Sequence, residues 1–360
     1  MKCMFKILIK ILKYAMKIII LCETIDKIDL KDKKILYHLI ANSRQSFNNI
    51  GKKVGLSKDV VAFRIKRLEK EGIIINYPTL IQPGLLGWGV ARYYYNFQFV
   101  SPEKKQEIIE YFINSDIVTY VAELEGSYDL QVNMYVSSLR SLEVPFKFPT
   151  LFLKFTSFYD ETQKKYRKYL DEQIMTVFHK SSNFLPIFLL NDNSLKPSCI
   201  PSSLSFFREV QVDKLDFEII RKLAVNARIS TVKLANDLNV TTVTVKNRIK
   251  RLIKEKIVLN FSAFIDTPKI GYWFYKVEIN LKDYEKKHEI VEYIKKNQNI
   301  SLISESFGRG VDLDFGFFLK DISQLLDIIN DLSSKFPETI KNFKYFRTVK
   351  QHKYNLMPFK

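Results

Sequence analysis

The sequence contains one pattern twice, and the members of the second copy are found by adding 184 to the residue numbers of the first. Thirteen first-copy residues reappear unchanged in this way: Asp32, Ile35, Leu39, Asn42, Arg44, Ser46, Val61, Arg64, Ile65, Arg67, Leu68, Ile73 and Asn76. The period is far longer than the roughly 20 to 50 residues of a solenoid repeat. The chain is therefore predicted to be one two-part unit that has been duplicated.

The most informative part of each copy is a short helix, a turn and a second helix. In the first copy, Ser57 is placed to cap the second helix, and Val61 and Leu68 then lie on one helical face. Gly55 supplies the left-handed turn before it, and its counterpart Asn239 is the next best residue for that conformation. A β-prone run follows each second helix. The pattern predicts a winged helix-turn-helix, a DNA-binding motif.

The net charge of +18 is concentrated in a few parts of the chain. Residues 28–77 carry 11 Lys and Arg against 5 Asp and Glu, and residues 212–261 carry the same numbers, so each unit has a net charge of +6. Residues 1–22 contribute five lysines and no acid. A generally lysine-rich composition would spread the charge evenly. Its concentration in the helix-turn-helix units instead indicates a polyanionic partner, most simply double-stranded DNA.

The residues after each helix-turn-helix predict a sheet with two helices. In the first copy we expect a strand at 89–100, a helix at 102–114, strands at 117–124 and 128–136, a short helix near 139–146 and a strand near 151–159. In the second copy, residues 271–277 align with the first strand at the same offset of 184. After them we expect a helix at 284–296, strands at 300–307 and 311–319, a helix at 322–336 and a strand at 340–350. The order βαββαβ is that of a ferredoxin-like sandwich. The shorter spacing in the first copy predicts that its second helix is the shorter one.

The predicted fold class is α+β, with two copies of a winged helix-turn-helix followed by a ferredoxin-like βαββαβ domain. The predicted domains are a basic amphipathic extension at 1–27, the first helix-turn-helix at 28–77, the first sandwich at 78–170, a linker rich in Asn, Pro and Ser at 171–210, the second helix-turn-helix at 211–262 and the second sandwich at 263–360. The aromatic outer face of each sandwich sheet needs a partner, and the two faces could close on each other within one chain.

Residues 1–22 resemble a signal peptide only superficially. Their lysines fall on one helical stripe, there is no 18-residue uncharged run, and no small-residue cleavage site follows. A basic amphipathic helix on a membrane or nucleic acid is one interpretation, but membrane contact is not expected. A packing extension, or a true start at Met16 or later, is preferred.

The three cysteines and four histidines do not form short-spaced groups. Cys3, Cys22 and Cys199 give no disulfide framework and suggest a reducing compartment, so we expect a cytoplasmic, nucleoid-associated protein. No zinc site, no other metal site and no cofactor is predicted. The sequence also lacks a phosphate-binding Gly-Lys-Ser/Thr loop, a Gly-x-Ser-x-Gly elbow and an HExxH motif, so no catalytic residues are predicted.

Several segments together resemble the Lrp/AsnC family of feast/famine transcription regulators. They are Asp32-Lys33-Lys34-Ile35-Leu36, Asn42-Ser43-Arg44, Val54-Gly55-Leu56-Ser57, Arg64-Ile65-Lys66-Arg67-Leu68-Glu69, Glu71-Gly72-Ile73-Ile74 and, in the second part, Gly126-Ser127-Tyr128-Asp129. The resemblance implies a winged helix-turn-helix joined to an effector domain, often called RAM. It also implies sheet-to-sheet pairing, an amino-acid or other small-molecule effector, and self-association through the effector domains. The tandem arrangement departs from the single-copy pattern of the family.

The outward faces of the two second helices are the predicted DNA contacts. In the first copy these are Ser57, Lys58, Asp59, Ala62, Phe63, Lys66 and Arg67. In the second they are Thr241, Thr242, Thr244, Lys246, Asn247, Lys250 and Arg251. Lysines suit phosphates or guanine edges, Phe63 suits a thymine methyl group, Asp59 a cytosine amino group and Asn247 an adenine edge. A solvated helix face is the alternative for any single position.

Two further sets of residues have competing interpretations. Arg64 and Arg248 border the buried face, where a structural ion pair and a phosphate contact are equally reasonable, while Arg67 and Arg251 are expected to point outward to phosphate. Weaker effector-site candidates are Tyr128, Asp129 and Asp312, because the resemblance places this loop at the border of the effector pocket. A turn held by a carboxylate is the alternative.

The sequence predicts a sequence-specific transcription regulator that binds two half-sites, and two other functions compete with this interpretation. One is an architectural protein that compacts DNA with little sequence preference. The other is an enzyme, because sirohaem decarboxylases share this two-part architecture; that resemblance would imply histidines near the Gly-x-Tyr-Asp position. The corresponding strands, 128–136 and 311–319, contain no histidine, which favours a protein without enzymatic activity.

Overall fold

The computed structural model describes residues 28–137, 149–190, 192, 194–204, 210–308 and 311–357. The predictions for residues 1–27 and for a helix near 139–146 lie outside these residues. The helices are α1 (Leu30–Ala41), α2 (Phe47–Val54), α3 (Lys58–Lys70), α4 (Pro102–Asn114), α5 (Pro149–Tyr166), α6 (Lys214–Val225), α7 (Thr231–Leu238), α8 (Thr242–Lys254), α9 (Lys287–Ile294) and α10 (Ile322–Lys335). None of these helices has the length and apolar character that crossing a bilayer requires.

The strands divide into short pairs beside the helix-turn-helix units and one large sheet. The short strands are β1 (Ile74–Asn76), β2 (Thr79–Ile81), β8 (Val258–Phe261) and β9 (Phe264–Ile265). The large sheet contains β3 (Trp88–Phe97), β4 (Val118–Gly126), β5 (Leu130–Ser137), β6 (Leu170–Phe184), β7 (Cys199–Leu204), β10 (Trp273–Leu281), β11 (Ile300–Gly308), β12 (Leu313–Leu319) and β13 (Ile340–Tyr354).

The strands that follow each helix-turn-helix pair across the two halves. β1 pairs with β9, and β2 pairs with β8, both antiparallel. We call residues 73–82 and 257–266 the clasp. Each half therefore supplies the strands with which the short strands of the other half pair. Three-residue strands leave most of their backbone groups without a partner inside one half, and the cross-pairing satisfies them.

The two sandwiches join edge to edge. Each has the strand order of the ferredoxin-like fold, β6-β3-β5-β4 in the first half and β13-β10-β12-β11 in the second. β13 pairs with β4 and β11 pairs with β6, so eight strands close into a barrel with the helices outside. Closure removes the exposed sheet edges. The sequence analysis expected the two sheet faces to close on each other within one chain, whereas the structure joins the two sheets through their edge strands.

Residues 149–184 differ from the sequence prediction. The expected strand near 151–159 is part of α5, and the expected linker at 171–210 includes the last barrel strand of the first half, β6, as well as β7. The second helix of the first half is 18 residues long against 14 in the second half, so the prediction of a shorter helix is wrong. Phe158 packs flat against Tyr111, with ring centroids 5.1 Å apart. Its rich aromatic content made this helix look like a strand.

Candidate nucleic-acid interface

Each helix-turn-helix unit is built by the same local interactions. Ser57 caps α3 by accepting a hydrogen bond from the Val60 N–H at 3.3 Å, and Thr241 caps α8 by accepting from the Thr244 N–H at 3.1 Å. The turn residue before each helix, Gly55 or Asn239, is left-handed. The capped helices bury one apolar face: Val61, Ile65 and Leu68 in α3, and Val245, Ile249 and Leu252 in α8. The opposite face of each helix therefore remains at the surface.

The outward face of α3 contains the residues predicted from the sequence. Ser57, Lys58, Asp59, Phe63 and Lys66 are exposed and Ala62 is half-buried. Phe63 is 69% exposed, which is unusual for a large aromatic side chain in a monomeric protein. Within the described part of the chain, Lys58 and Lys66 make no ion pair, so both ammonium groups are available to an anionic partner.

The outward face of α8 has different chemistry. Lys246, Asn247 and Lys250 are exposed, and Thr242 and Thr244 are half-buried. The Thr241 and Thr244 hydroxyls lie 2.9 Å apart, which ties both to the start of the helix. Sequence reasoning missed Val243, which is 63% exposed beside these threonines. Its counterpart in α3 is Asp59 by the 184-residue offset, and that offset could have identified it.

We call α3 and α8 the recognition helices. In each unit, two arginines of the recognition helix contact one buried carboxylate. Arg64 contacts Asp29 at 2.7 Å and Asp32 at 2.9 Å, and Arg67 contacts Asp32 at 2.5 Å. The hydrogen bond to Asp29 raises the pKa of the Arg64 guanidinium. Asp32 is fully buried and also completes the capping box at the start of α1. The carboxylate thus fixes the recognition helix to the first helix of its unit.

The second unit repeats this arrangement. Arg248 contacts Asp213 at 2.5 Å and Asp216 at 3.2 Å, and Arg251 also contacts Asp216. The Arg67 and Arg251 side chains are 33% and 42% exposed, against 21% and 29% for Arg64 and Arg248. Each also pairs with the buried aspartate near the start of the neighbouring helix, and its contact with phosphate stays a prediction. For Arg64 and Arg248, the geometry agrees with the structural alternative.

Reciprocal hydrogen bonds relate the two units, both in the clasp and in the helix-turn-helix units beside it. Arg44 donates to the carbonyl oxygen of Ala227 at 2.5 Å, and Arg228 donates to that of Ser43. The same reciprocity holds along the strands. There the Gln82 N–H donates to Ile257 at 2.8 Å, and the Asp266 N–H donates to Ile73 at 2.9 Å. Residues that differ by 184 therefore exchange equivalent bonds, as the two chains of a symmetric dimer would.

The three weaker effector-site candidates have structural contacts. Asp129 accepts a hydrogen bond from the Phe97 N–H at 2.8 Å, and Asp312 accepts one from the Leu281 N–H at 2.7 Å. Tyr128 is buried inside the barrel, where its hydroxyl donates to Glu278 at 2.9 Å. The two aspartates thus hold the turn beside the first strand of each sandwich, as the alternative interpretation stated.

Comparisons with known proteins match both units. A family model described as winged helix-turn-helix DNA-binding matches residues 28–75, and one described as an AsnC-type helix-turn-helix domain matches residues 212–253. An uncharacterised HTH-type transcriptional regulator of Pyrococcus furiosus is 31% identical over 116 residues, which cover 32% of this chain and 77% of that protein. The HTH-type transcriptional regulator Ptr1 of Methanocaldococcus jannaschii is 32% identical over 118 residues, which cover 33% of this chain and 76% of its own length.

One solved structure is similar across nearly the whole chain. The crystal structure of the siroheme decarboxylase NirDL superposes with a TM-score of 0.57 at 12% identity, covering 91% of this chain and 94% of that one. At this identity the similarity concerns the fold.

Proposed function

Because the chain belongs to the Lrp/AsnC family of DNA-binding transcription regulators, in a tandem-duplicated form, we propose that a single chain recognises two DNA half-sites of different sequence. The observation that carries the proposal is the reciprocal clasp between the two helix-turn-helix units. Operator-binding proteins of this class need two recognition helices at a fixed separation. Here the covalent link and the clasp hold the two recognition helices at a fixed separation, without a concentration-dependent association step.

The two recognition helices differ in the chemistry of their exposed faces. Asp59 and Phe63 on α3 occupy the positions that Val243 and Asn247 occupy on α8. Carboxylates, amides and apolar groups match different base edges in the major groove. The preferred site is therefore a non-palindromic pair of half-sites. Lys58, Lys66, Lys246 and Lys250 contribute the electrostatic part of binding.

We further propose that the protein acts by binding, in the nucleoid, and not by catalysis. The fold similarity to a siroheme decarboxylase is accompanied by 12% identity, and strands β5 and β12 contain no histidine. A small-molecule effector remains part of the proposal. The compaction of DNA without sequence preference is the competing function, and the two +6 units are compatible with it.

Selection of bound sequences from a random double-stranded DNA pool tests the proposal. We expect a motif with two unlike half-sites, bound at least 100-fold more tightly than a scrambled duplex of equal length at the same salt concentration. A matched selection with a Phe63→Ala, Asn247→Ala variant should lose information in both half-sites. Recovery of no motif would contradict the proposal and favour compaction.

A further inference from the structure

A large cavity lies between the clasp and the open end of the barrel. Its volume is about 1300 Å³. The clasp contributes Pro78 and Ala263 to the wall, and the barrel contributes Val90 and Ser301. Pockets for small molecules usually have volumes of roughly 300 to 1,000 Å³. The cavity is therefore much larger than a single amino acid requires, and residues of both halves line it together.

Aromatic rings form much of the cavity wall. Tyr354 stacks on Phe264, with ring centroids 5.5 Å apart and an interplanar angle of 13°. On another part of the wall, the Arg347 guanidinium lies 4.5 Å from the centroid of Trp273. Such walls offer flat apolar surfaces to a ring system, and ring pairs contribute attraction beyond the burial of apolar area.

Two cations from equivalent positions of the two halves line the cavity. Arg92 and Lys276 differ by 184, and both contact one oxygen of Asp314 at 2.5 Å. The other acid of this cluster is Glu278. Burial raises the pKa of its carboxyl group and lowers the pKa of the Lys276 ammonium group to about 8. The Tyr94 hydroxyl lies 3.2 Å from the Lys276 ammonium. Two cations thus share one carboxylate in a site where an uncompensated charge is costly.

The other oxygen of Asp314, Oδ1, is buried without a hydrogen-bond partner, and so is the hydroxyl of Ser304 on the neighbouring strand. Buried polar groups without partners are rare in folded proteins. Both belong to the barrel strands around the charged cluster. An anionic group of a ligand could accept from the Ser304 hydroxyl and from the Arg92 and Lys276 cations. Asp314 Oδ1, a carboxylate oxygen, could be satisfied only by an N–H or O–H of the ligand.

We propose that the cavity binds one bulky aromatic anion per chain, with its ring system against the aromatic wall and its anionic group beside Arg92 and Lys276. Because the clasp forms part of the wall, occupancy would stiffen the relation between the two helix-turn-helix units. This inference rests on the proposed function only in making the ligand an effector of DNA binding. Binding itself is measured without DNA.

Two fluorescent probes with the same aromatic frame test the charge preference on the full chain. They are 1-anilinonaphthalene-8-sulfonate, an anion, and N-phenyl-1-naphthylamine, its neutral analogue. We expect saturation at one sulfonate probe per chain. A Lys276→Met variant keeps the Arg92–Asp314 pair but removes one positive charge, so its affinity for the anion should fall about tenfold while the affinity for the neutral probe is unchanged. Lys276→Arg should restore the preference. An equal loss of both probes, or none, would overturn the assignment of the anionic group.

Filling the cavity tests its location. Val90→Trp and Ser301→Trp place an indole in the space at two separate points, and each should abolish binding of both probes. Val225→Trp adds the same ring at an exposed position on α6, outside the cavity lining, and should leave binding intact. Thermal unfolding checks that each variant folds. Retained probe binding in both filled variants would contradict the site.

A DNA-binding measurement separates the two proposals. If the selected duplex binds and the probes fail, the cavity inference falls and the proposed function stands. If the probes bind one per chain but no DNA motif is recovered, the proposed function falls and the ligand site stands.

Discussion

The two recognition helices share the residues that hold them in place and differ in the residues that face outward. α3 and α8 bury the same three residue types, and each sends two arginines to a buried aspartate. Their outward positions pair Lys58 with Thr242, Asp59 with Val243, Val60 with Thr244, Ala62 with Lys246 and Phe63 with Asn247. If the capping residues and the arginines are set aside, one predicted DNA contact is the same in both helices: the lysine at Lys66 in α3 and Lys250 in α8.

This difference separates the two roles of a recognition helix. Residues required for folding are the same in both copies because both units have the same core. Residues that would meet base edges differ between the copies, as the proposed recognition of two unlike half-sites requires. The shared lysine suits the sequence-independent phosphate backbone.

The largest effect is expected from removing the shared buried carboxylate. Asp32→Asn or Asp216→Asn leaves two guanidinium groups facing a neutral side chain, which should lower the free energy of unfolding by about 3 kcal/mol in either unit. Urea unfolding followed by circular dichroism measures it. The exposed Asp59→Asn is the matched control and should cost less than about 0.5 kcal/mol. Clearly unequal effects of the two buried changes would break the equivalence of the units.

The next effect concerns the outward residues. Substituting α3 with the α8 residues (Lys58→Thr, Asp59→Val, Val60→Thr, Ala62→Lys, Phe63→Asn) should make the two half-sites alike, so that selection recovers an inverted repeat. Affinity for the wild-type site should fall roughly 10- to 100-fold, because each lost base-edge pairing is worth about 1–3 kcal/mol. An unchanged motif would show that these positions do not contact bases.

A smaller effect is expected from the shared lysine. Lys66→Ala and Lys250→Ala should each weaken binding several-fold at every sequence and should reduce the slope of log affinity against log salt by about 0.9. Fluorescence anisotropy titrations at several salt concentrations measure the slope. Lys335→Ala, on the exposed end of α10, is the control. If only one of the two slopes changes, the helices do not meet the backbone equivalently.

The smallest expected effect is on the pH dependence of stability, and it compares the edge strands β4 and β11 of the two sandwiches. Glu123 on β4 contacts Lys105 at 2.9 Å and His352 at 2.7 Å, and Glu305 on β11 contacts Lys287 at 2.9 Å. The hydrogen bond with His352, opposed by burial and aided by Lys105, lowers the pKa of Glu123 to about 2.

A depressed carboxyl pKa gives stability that is present above the unfolded value and is lost as the pH falls through the folded one. Wild type should therefore lose stability between about pH 4.5 and 2, by about 1 kcal/mol from this group after solvent screening. Glu123→Gln should flatten that acid dependence more than Glu305→Gln does. Thermal unfolding at a series of pH values measures this difference. Identical acid dependence in the two variants would contradict the contribution assigned to Glu123.

Much of the fold was predictable because it depends on local periodicity and on the repeat. The bounds of α4 were predicted to the residue, and β11, β12 and α10 within two residues at either end. Residues 151–159, which lie in α5, were mistaken for a strand, and residues 171–184, which lie in β6, were mistaken for a linker. Phe155 and Phe158 favour a strand in isolation, but in the helix they join the core that contains α4 residues. Long-range packing overrode the local preference.

At the candidate interface, helix periodicity predicted which side chains of α3 and α8 are exposed. It did not predict the carboxylates with which their arginines pair. Arg67 and Lys66 are neighbours on one helix, yet Arg67 reaches Asp32, 35 residues earlier in the chain. No local pattern states where such a side chain ends, because the partner arrives by tertiary folding.

The sequence by itself determined the duplication, the two capped and positively charged helix-turn-helix units and the order of elements in each sandwich, because these depend on spacing within short segments. Only the tertiary structure decided that the short strands pair between halves, that two sheets close into one barrel and that a cavity lined by two cations lies between the clasp and the barrel. These features depend on contacts between residues far apart in the chain, such as Asn183 with Leu302 and Gly126 with Phe346. Their geometry is set by how the two halves satisfy each other's backbone hydrogen bonds and buried charges.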